Sequence, residues 1–125
     1  INQFYKRITA GEPLIIYGDG SSTRDYIHVA DLCDGIARAL LNYDVKTDVI
    51  HLASGRETSL KELASIMRDV SGNPNHPIEY LDKRVGEVDR NFARYDYAKK
   101  ILGFEPKVRL EEGMKEAWAW LGRGH

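Results

Sequence analysis

Cysteine is almost missing: Cys33 stands alone in 125 residues, so no internal disulfide can form and the fold must rest on its apolar core. A lone cysteine inside a helical segment reads as a buried, inert thiol. Long apolar runs are missing as well. Nothing approaches the roughly 20 residues that a bilayer-spanning helix needs, and the first residues lack the order of a signal peptide, so a reducing, cytoplasmic setting is expected. Excess charge of one sign is also absent. Eighteen Lys and Arg against nineteen Asp and Glu leave a formal charge of -1. Their signs are interspersed, which excludes the basic face or tail that nucleic acids and anionic membranes select. The four histidines, at 28, 51, 76 and 125, pair with no Cys, Asp or Glu at metal-site spacing. No metal is expected, and His28 and His51, beside apolar segments, read as partly buried, hydrogen-bonded imidazoles. No Gly-x-Gly-x-x-Gly occurs anywhere, so the chain carries no dinucleotide fingerprint.

What is present is an ordinary globular balance, 42% hydrophobic against 30% charged, enough for one modest core. Ile1, Phe4 and Ile8 fall at helical spacing, so residues 1–10 read as a helix stopped near Gly11 and Pro13. Residues 14–17 are a short buried strand, and 26–28 a brief second one. Leu32, Ile36, Ala37, Leu40 and Leu41 give a helix over 30–42. Residues 49–53 read as a strand, turned by Ser54 and Gly55. Ser59 followed by Glu62 fits a capping box that opens a helix through Leu63, Ala64, Met67 and Val70, closed by Gly72. After a connector at 71–77 come a strand over 78–81, a short one holding Phe92, and a helix over 95–102 ended by Gly103. The last helix runs from Leu110 to Leu121, with Glu111 and Glu112 in the first turn, where the helix dipole favours them. This alternation predicts a small mixed α/β domain of short strands and four to five helices.

Two arginines carry the chemistry. Arg24 ends the polar stretch Tyr17-Gly-Asp-Gly-Ser-Ser-Thr-Arg24, directly after Leu14-Ile15-Ile16, and Arg84 opens Arg84-Val-Gly-Glu-Val-Asp89, shortly after the 78–81 strand. Both leave strands. A planar guanidinium with five fixed donors matches phosphate oxygens in pairs, so two of them across a cleft make a diphosphate clamp. Asp25 is expected to orient Arg24. Gly18, Asp19 and Gly20 form a turn and not a phosphate cradle, because no helix start follows them directly.

The stretch from Gly11 through Arg24-Asp-Tyr-Ile-His-Val-Ala-Asp31, followed by His51-Leu-Ala-Ser-Gly55, Thr58-Ser-Leu-Lys-Glu-Leu-Ala64 and Arg84-Val-Gly-Glu87, resembles the carboxy-terminal part of nucleotide-sugar epimerases and dehydratases. These are extended short-chain dehydrogenase/reductases, and within them the likeness runs most toward the UDP-glucose 4-epimerases. It implies that residues 1–125 are a substrate-binding lobe and that the NAD-binding Rossmann domain with the catalytic Tyr and Lys is not in this chain. It further implies that Arg24 and Arg84 hold the diphosphate of a nucleotide-sugar such as UDP-glucose or UDP-galactose, and that Glu87 accepts from a ribose hydroxyl. Leu14, Ile15 and Tyr17 would wall the base pocket, with Tyr26 lining it. Glu stands at position 87 where epimerases often have Asp, which changes its reach.

Tyr95 and Lys99 match the Tyr-x-x-x-Lys spacing of the family's catalytic pair, yet the resemblance places them on a late structural helix. No catalytic residue is therefore expected here, NAD belongs to the absent domain, and the isolated chain should be inert and prone to self-association, with the first helix as a contact. The alternatives are a 4,6-dehydratase fragment, a uronic-acid epimerase, or a non-catalytic nucleotide-sugar-binding or interaction module.

Overall fold

Along β1 (Leu14–Tyr17) the side chains alternate: Leu14 and Ile16 are fully buried, while Ile15 and Tyr17 are half-exposed on the other face. The computed structural model describes residues 1–42 and 49–123. β1 pairs in parallel with β4 (Ile78–Leu81), in the register Leu14↔Ile78 to Tyr17↔Leu81. A parallel pair needs a long crossover. Here the crossover carries β2 (Thr23–Arg24), α2 (Val29–Leu41), β3 (Thr58–Ser59) and α3 (Leu60–Val70). β2 is the middle of a second sheet, antiparallel to β3 and parallel to β5 (Arg90–Asn91). α1 (Asn2–Ala10), α4 (Asp96–Leu102) and α5 (Leu110–Leu121) complete the described elements. The result is the small mixed α/β domain that the element pattern predicts.

The main core gathers Phe4, Leu14, Ile16, Leu63, Ala64, Met67 and Met114, the inward stripes of α1, β1, α3 and α5. A smaller cluster of Ala98, Leu102 and Phe104 packs with Ile27, Leu52 and Tyr95. Gly35 lets α2 close on this second cluster, since a Cβ there would stand 2.7 Å from the Leu52 side chain. His76 is buried, its Nε2 donating to the Glu12 carbonyl at 2.7 Å and its Nδ1 accepting from Asn73 at 3.4 Å.

Several expectations need correction. Residues 26–28 are not a strand. The ladder forms at Thr23–Arg24 instead, and the Asp25 amide donates to the Asn91 carbonyl just past it. Residues 49–53 carry no strand: no described strand runs beside them, and the chain is held instead by its packing and by the Ser54 and Gly55 amides, which donate to Asp25 at 2.9 Å each. Asp25 is thus committed to that turn and does not orient Arg24. The Phe92 strand stops at Asn91. Cys33 is exposed, because the core-facing side of α2 is the one bearing Asp31 and Gly35. His51 is exposed as well, while His28 is half-buried and caps α2 by accepting from the Ala30 amide at 3.3 Å. Only half of the capping box forms: Ser59 Oγ accepts from the Glu62 amide at 3.1 Å, but the Glu62 carboxylate is taken by Arg56. His125 lies outside the described residues.

Candidate functional site

The segment between β4 and β5 joins the two sheets, and that topology builds the site. It leaves β4 beside Tyr17, where the Gly18 amide donates to the Leu81 carbonyl at 2.8 Å, and enters β5 beside β2, where the Thr23 amide donates to the Asp89 carbonyl at 2.8 Å. Residues 82–89 therefore span from the end of β1 to β2. Lys83 and Asp89 form an ion pair across the loop, and Gly86, at φ 82°, supplies a left-handed turn that a larger residue would strain.

Three of the sequence-predicted residues meet on this loop and a fourth reaches it from β2. The Arg84 guanidinium lies over the Tyr17 ring, its Cζ 3.6 Å from the ring centroid. The Glu87 amide donates to the Arg84 carbonyl at 3.3 Å. Arg24 crosses from β2, its Nη1 donating to the Val88 and Thr23 carbonyls at 2.8 Å each and its Nη2 standing 4.0 Å from the Glu87 carboxylate. Tyr17, Arg84, Glu87 and Arg24 are thus linked in one chain of contacts.

The surrounding charges are mostly neutralised in pairs. Glu57 accepts from both Arg90 and Thr23 Oγ1, and Arg90's donated hydrogen bonds, first, then Thr23's hold its carboxyl at about 2. Lys83 is matched by Asp89 and Arg24 by Glu87. Among the described residues the Arg84 guanidinium has no acceptor for its donors and rests on the Tyr17 ring. The chemical capacity of the cluster is anion binding by guanidinium groups beside an aromatic face.

The other predicted residues are placed differently. Leu14 is fully buried in the main core, so its side chain backs β1 and does not wall a pocket. Ile15 shares the half-exposed face of Tyr17. Tyr26 lines two cavities of about 630 Å³ and about 160 Å³ whose walls include His28, Arg56, Arg109 and Trp120, and include none of Tyr17, Arg24, Arg84 or Glu87. Burial pushes its phenol up, against a smaller opposing pull from Arg24. Tyr95 meets Phe104 edge-on at 6.1 Å, and Lys99 is ion-paired with Glu105, so the matching spacing serves packing and a surface pair. No group of three or more metal-ligating side chains is found among the described residues, nor a helix long and apolar enough to cross a membrane. Sequence reasoning missed Glu57 and the Val88 carbonyl. The second is a backbone group, which no side-chain pattern announces, and the first is fixed only by pairing of β2, β3 and β5.

Comparison with known proteins adds the lineage. A family model described as GDP-mannose 4,6 dehydratase matches residues 1–117. A UDP-glucose 4-epimerase from Rhizobium leguminosarum bv. trifolii is 38% identical over 105 residues, covering 82% of this chain and 32% of its own length. The solved structure of a Thermotoga maritima UDP-glucose 4-epimerase with UDP-glucose superposes with a TM-score of 0.87 at 32% identity, over 96% of this chain and 38% of the other. MoeE5, solved with UDP-glucuronic acid and NAD, gives 0.87 at 28% identity, over 98% of this chain and 40% of its own. The chain spans about a third of the length of the relatives it matches.

Proposed function

Because the chain belongs to the GDP-mannose 4,6 dehydratase family, we propose that it is the substrate-gripping part of an NAD-dependent nucleotide-sugar epimerase, of the kind that acts on UDP-glucose. The observation that carries this reading is the loop over 82–89, which sets Arg84 on Tyr17 and Glu87 beside Arg24, whose guanidinium also holds the loop's far end at Val88. Arg24 and Arg84 take the diphosphate through charge-assisted hydrogen bonds. Tyr17 offers a face to the base with Ile15 beside it, Leu14 supports the strand from below, and Glu87 accepts from a ribose hydroxyl. Tyr26 lies two residues beyond Arg24 and lines cavities apart from Tyr17, Arg24, Arg84 and Glu87. Held by its base, ribose and diphosphate, the nucleotide-sugar presents its sugar to whatever performs the chemistry, and such positioning removes a large share of a two-substrate reaction's barrier.

NAD falls to other parts of the parent enzyme. The glycine turn here, Gly18 and Gly20 at φ 71° and 76°, leads into β2 and not into a helix start, so these residues do not fit a dinucleotide pyrophosphate. The chain contributes grip without catalysis, in a cytoplasmic parent. The outer face of α2 supports docking of those other parts: Val29, Cys33, Ile36 and Leu40 form an exposed stripe at helical spacing, with Val29 65% and Leu40 74% exposed. A chain that covers only about a third of its relatives leaves the partner for such a face outside itself.

Titration of the chain with UDP, followed by calorimetry or NMR, tests the reading. UDP should bind weakly and reversibly, and Arg24→Lys or Arg84→Lys should weaken it at least about tenfold, because a point charge cannot reproduce the paired donors. Absence of binding, or indifference to both substitutions, would remove the nucleotide reading and favour an interaction module. A 4,6-dehydratase is the second reading, favoured by the description of the matching family model. Product analysis of the full-length parent with UDP-glucose and dTDP-glucose separates the two.

A further inference from the structure

The Arg84 guanidinium sits in van der Waals contact with the Tyr17 ring, 3.6 Å from its centroid. No planar group can enter between them. Arg84 belongs to the loop that carries Glu87 and receives Arg24, so the ring face it covers is the one on that loop's side. A ligand with its phosphates on the arginines reaches Tyr17 from that side. Guanidinium and base therefore contend for one surface.

We propose, resting on the nucleotide reading above, that Arg84 is a specificity-determining residue: parked on Tyr17 it disfavours a bare nucleobase, and its departure from the ring is compensated only by a ligand that brings a diphosphate. The backbone is already fixed for such a swing. The Arg84 carbonyl accepts from Glu87, Arg24 holds the Val88 carbonyl, and Lys83 pairs with Asp89 across the loop. Only the side chain has to move. In its parked position the guanidinium has no acceptor among the described residues, so the ring contact alone opposes its departure. A nucleoside displaces Arg84 and returns nothing to it. A nucleoside diphosphate gives it oxygen acceptors, and charge-assisted bonds to phosphate exceed an exposed contact with a ring. The site thereby holds bare nucleosides below the affinity that an uncovered Tyr17 face would give, while a nucleoside diphosphate offsets that loss through its contacts to Arg84.

The test uses uridine and UDP against the 125-residue chain and its Arg84→Ala and Tyr17→Leu variants, followed by NMR. Arg84→Ala should bind uridine about two- to fivefold more tightly, the range that an exposed cation–ring contact spans, while binding UDP at least about tenfold more weakly. Opposite signs from one substitution are the signature. In the ligand-free protein the Arg84 Hδ resonances should be shielded by the ring, and the shielding should vanish in Tyr17→Leu and on saturation with UDP. Uridine affinity unchanged or lowered in Arg84→Ala, with UDP still bound by the unaltered chain, overturns the proposal and leaves the nucleotide reading intact. Shielding that is absent without ligand, or that persists at UDP saturation, also overturns it. Failure of the unaltered chain to bind UDP is a different result, which removes the nucleotide reading and this inference together.

Discussion

At the scale of single residues, Glu57 shows how one side chain can hold a site it does not belong to. Its carboxylate accepts from Thr23 on β2 and Arg90 on β5, the residues that pair directly beside Arg24 and Asn91. These bonds hold its carboxyl at about 2, against an ordinary value of 4.5. A depressed carboxyl contributes stability that is present above its unfolded value and lost as pH falls from there toward the folded one. The chain should therefore lose denaturant resistance between about pH 4.5 and pH 2. Glu57→Gln should be less stable near neutrality and flatter across that window, so that the two curves converge in acid. Urea midpoints measured at intervals from pH 7 to pH 2 check this, and parallel curves would show that Glu57 does not carry the effect. Arg24 and Arg84 were legible in the sequence as arginines following strands, but Arg24, expected in a loop, lies within β2 because it pairs there with Thr58 and Asn91. The Val88 carbonyl that fixes Arg24 was not legible, because it is a backbone group, nor was Glu57, which holds the neighbouring Thr23 and Arg90 through a strand pairing.

At the scale of elements, α3 illustrates a sequence signal that was right in kind and halved in execution. Leu63, Ala64 and Met67 fall on one face and are all buried, as their spacing requires. Ser59 caps the helix through the Glu62 amide, but Arg56 draws the Glu62 carboxylate away from the reciprocal bond and toward the start of α5, where the same guanidinium reaches Glu111 at 3.3 Å. Ser59→Ala should consequently cost about 1 kcal/mol, the ordinary worth of one N-cap hydroxyl, while Glu62→Gln should leave the cap standing. Chemical denaturation of both variants measures the difference, and an unchanged Ser59→Ala midpoint would count against the cap. Apolar content makes residues 49–53 look like a strand, but a ladder needs a neighbour, and none of the described strands runs there.

At the scale of the whole molecule, the feature that sets behaviour is the unpaired apolar face of α2. Self-association was anticipated through the first helix, yet Phe4 is buried and Ile8 packs against the core, so α1 has little left to offer. The stripe of Val29, Cys33, Ile36 and Leu40 is the better contact. Sedimentation of the 125-residue chain should show concentration-dependent association, and Leu40→Glu, which changes an exposed position, should shift it toward monomer with little change in melting temperature. A clean monomer at high concentration would rule the contact out. Family, domain class and helix positions were readable along the chain, since helical spacing and capping residues are local signals.

The sequence by itself determined the helices, the β1 and β4 strands and the presence of two arginines able to bind an anion, because these depend on residues a few positions apart. Only the tertiary structure decided that Arg84 rests on Tyr17, that Arg24 reaches the same loop, and that Tyr26 and Leu14 face elsewhere. The reason is register. The parallel pairing of β1 with β4 and of β2 with β5 fixes where the 82–89 loop begins and ends, and a pairing between residues more than sixty positions apart leaves no trace in either local stretch.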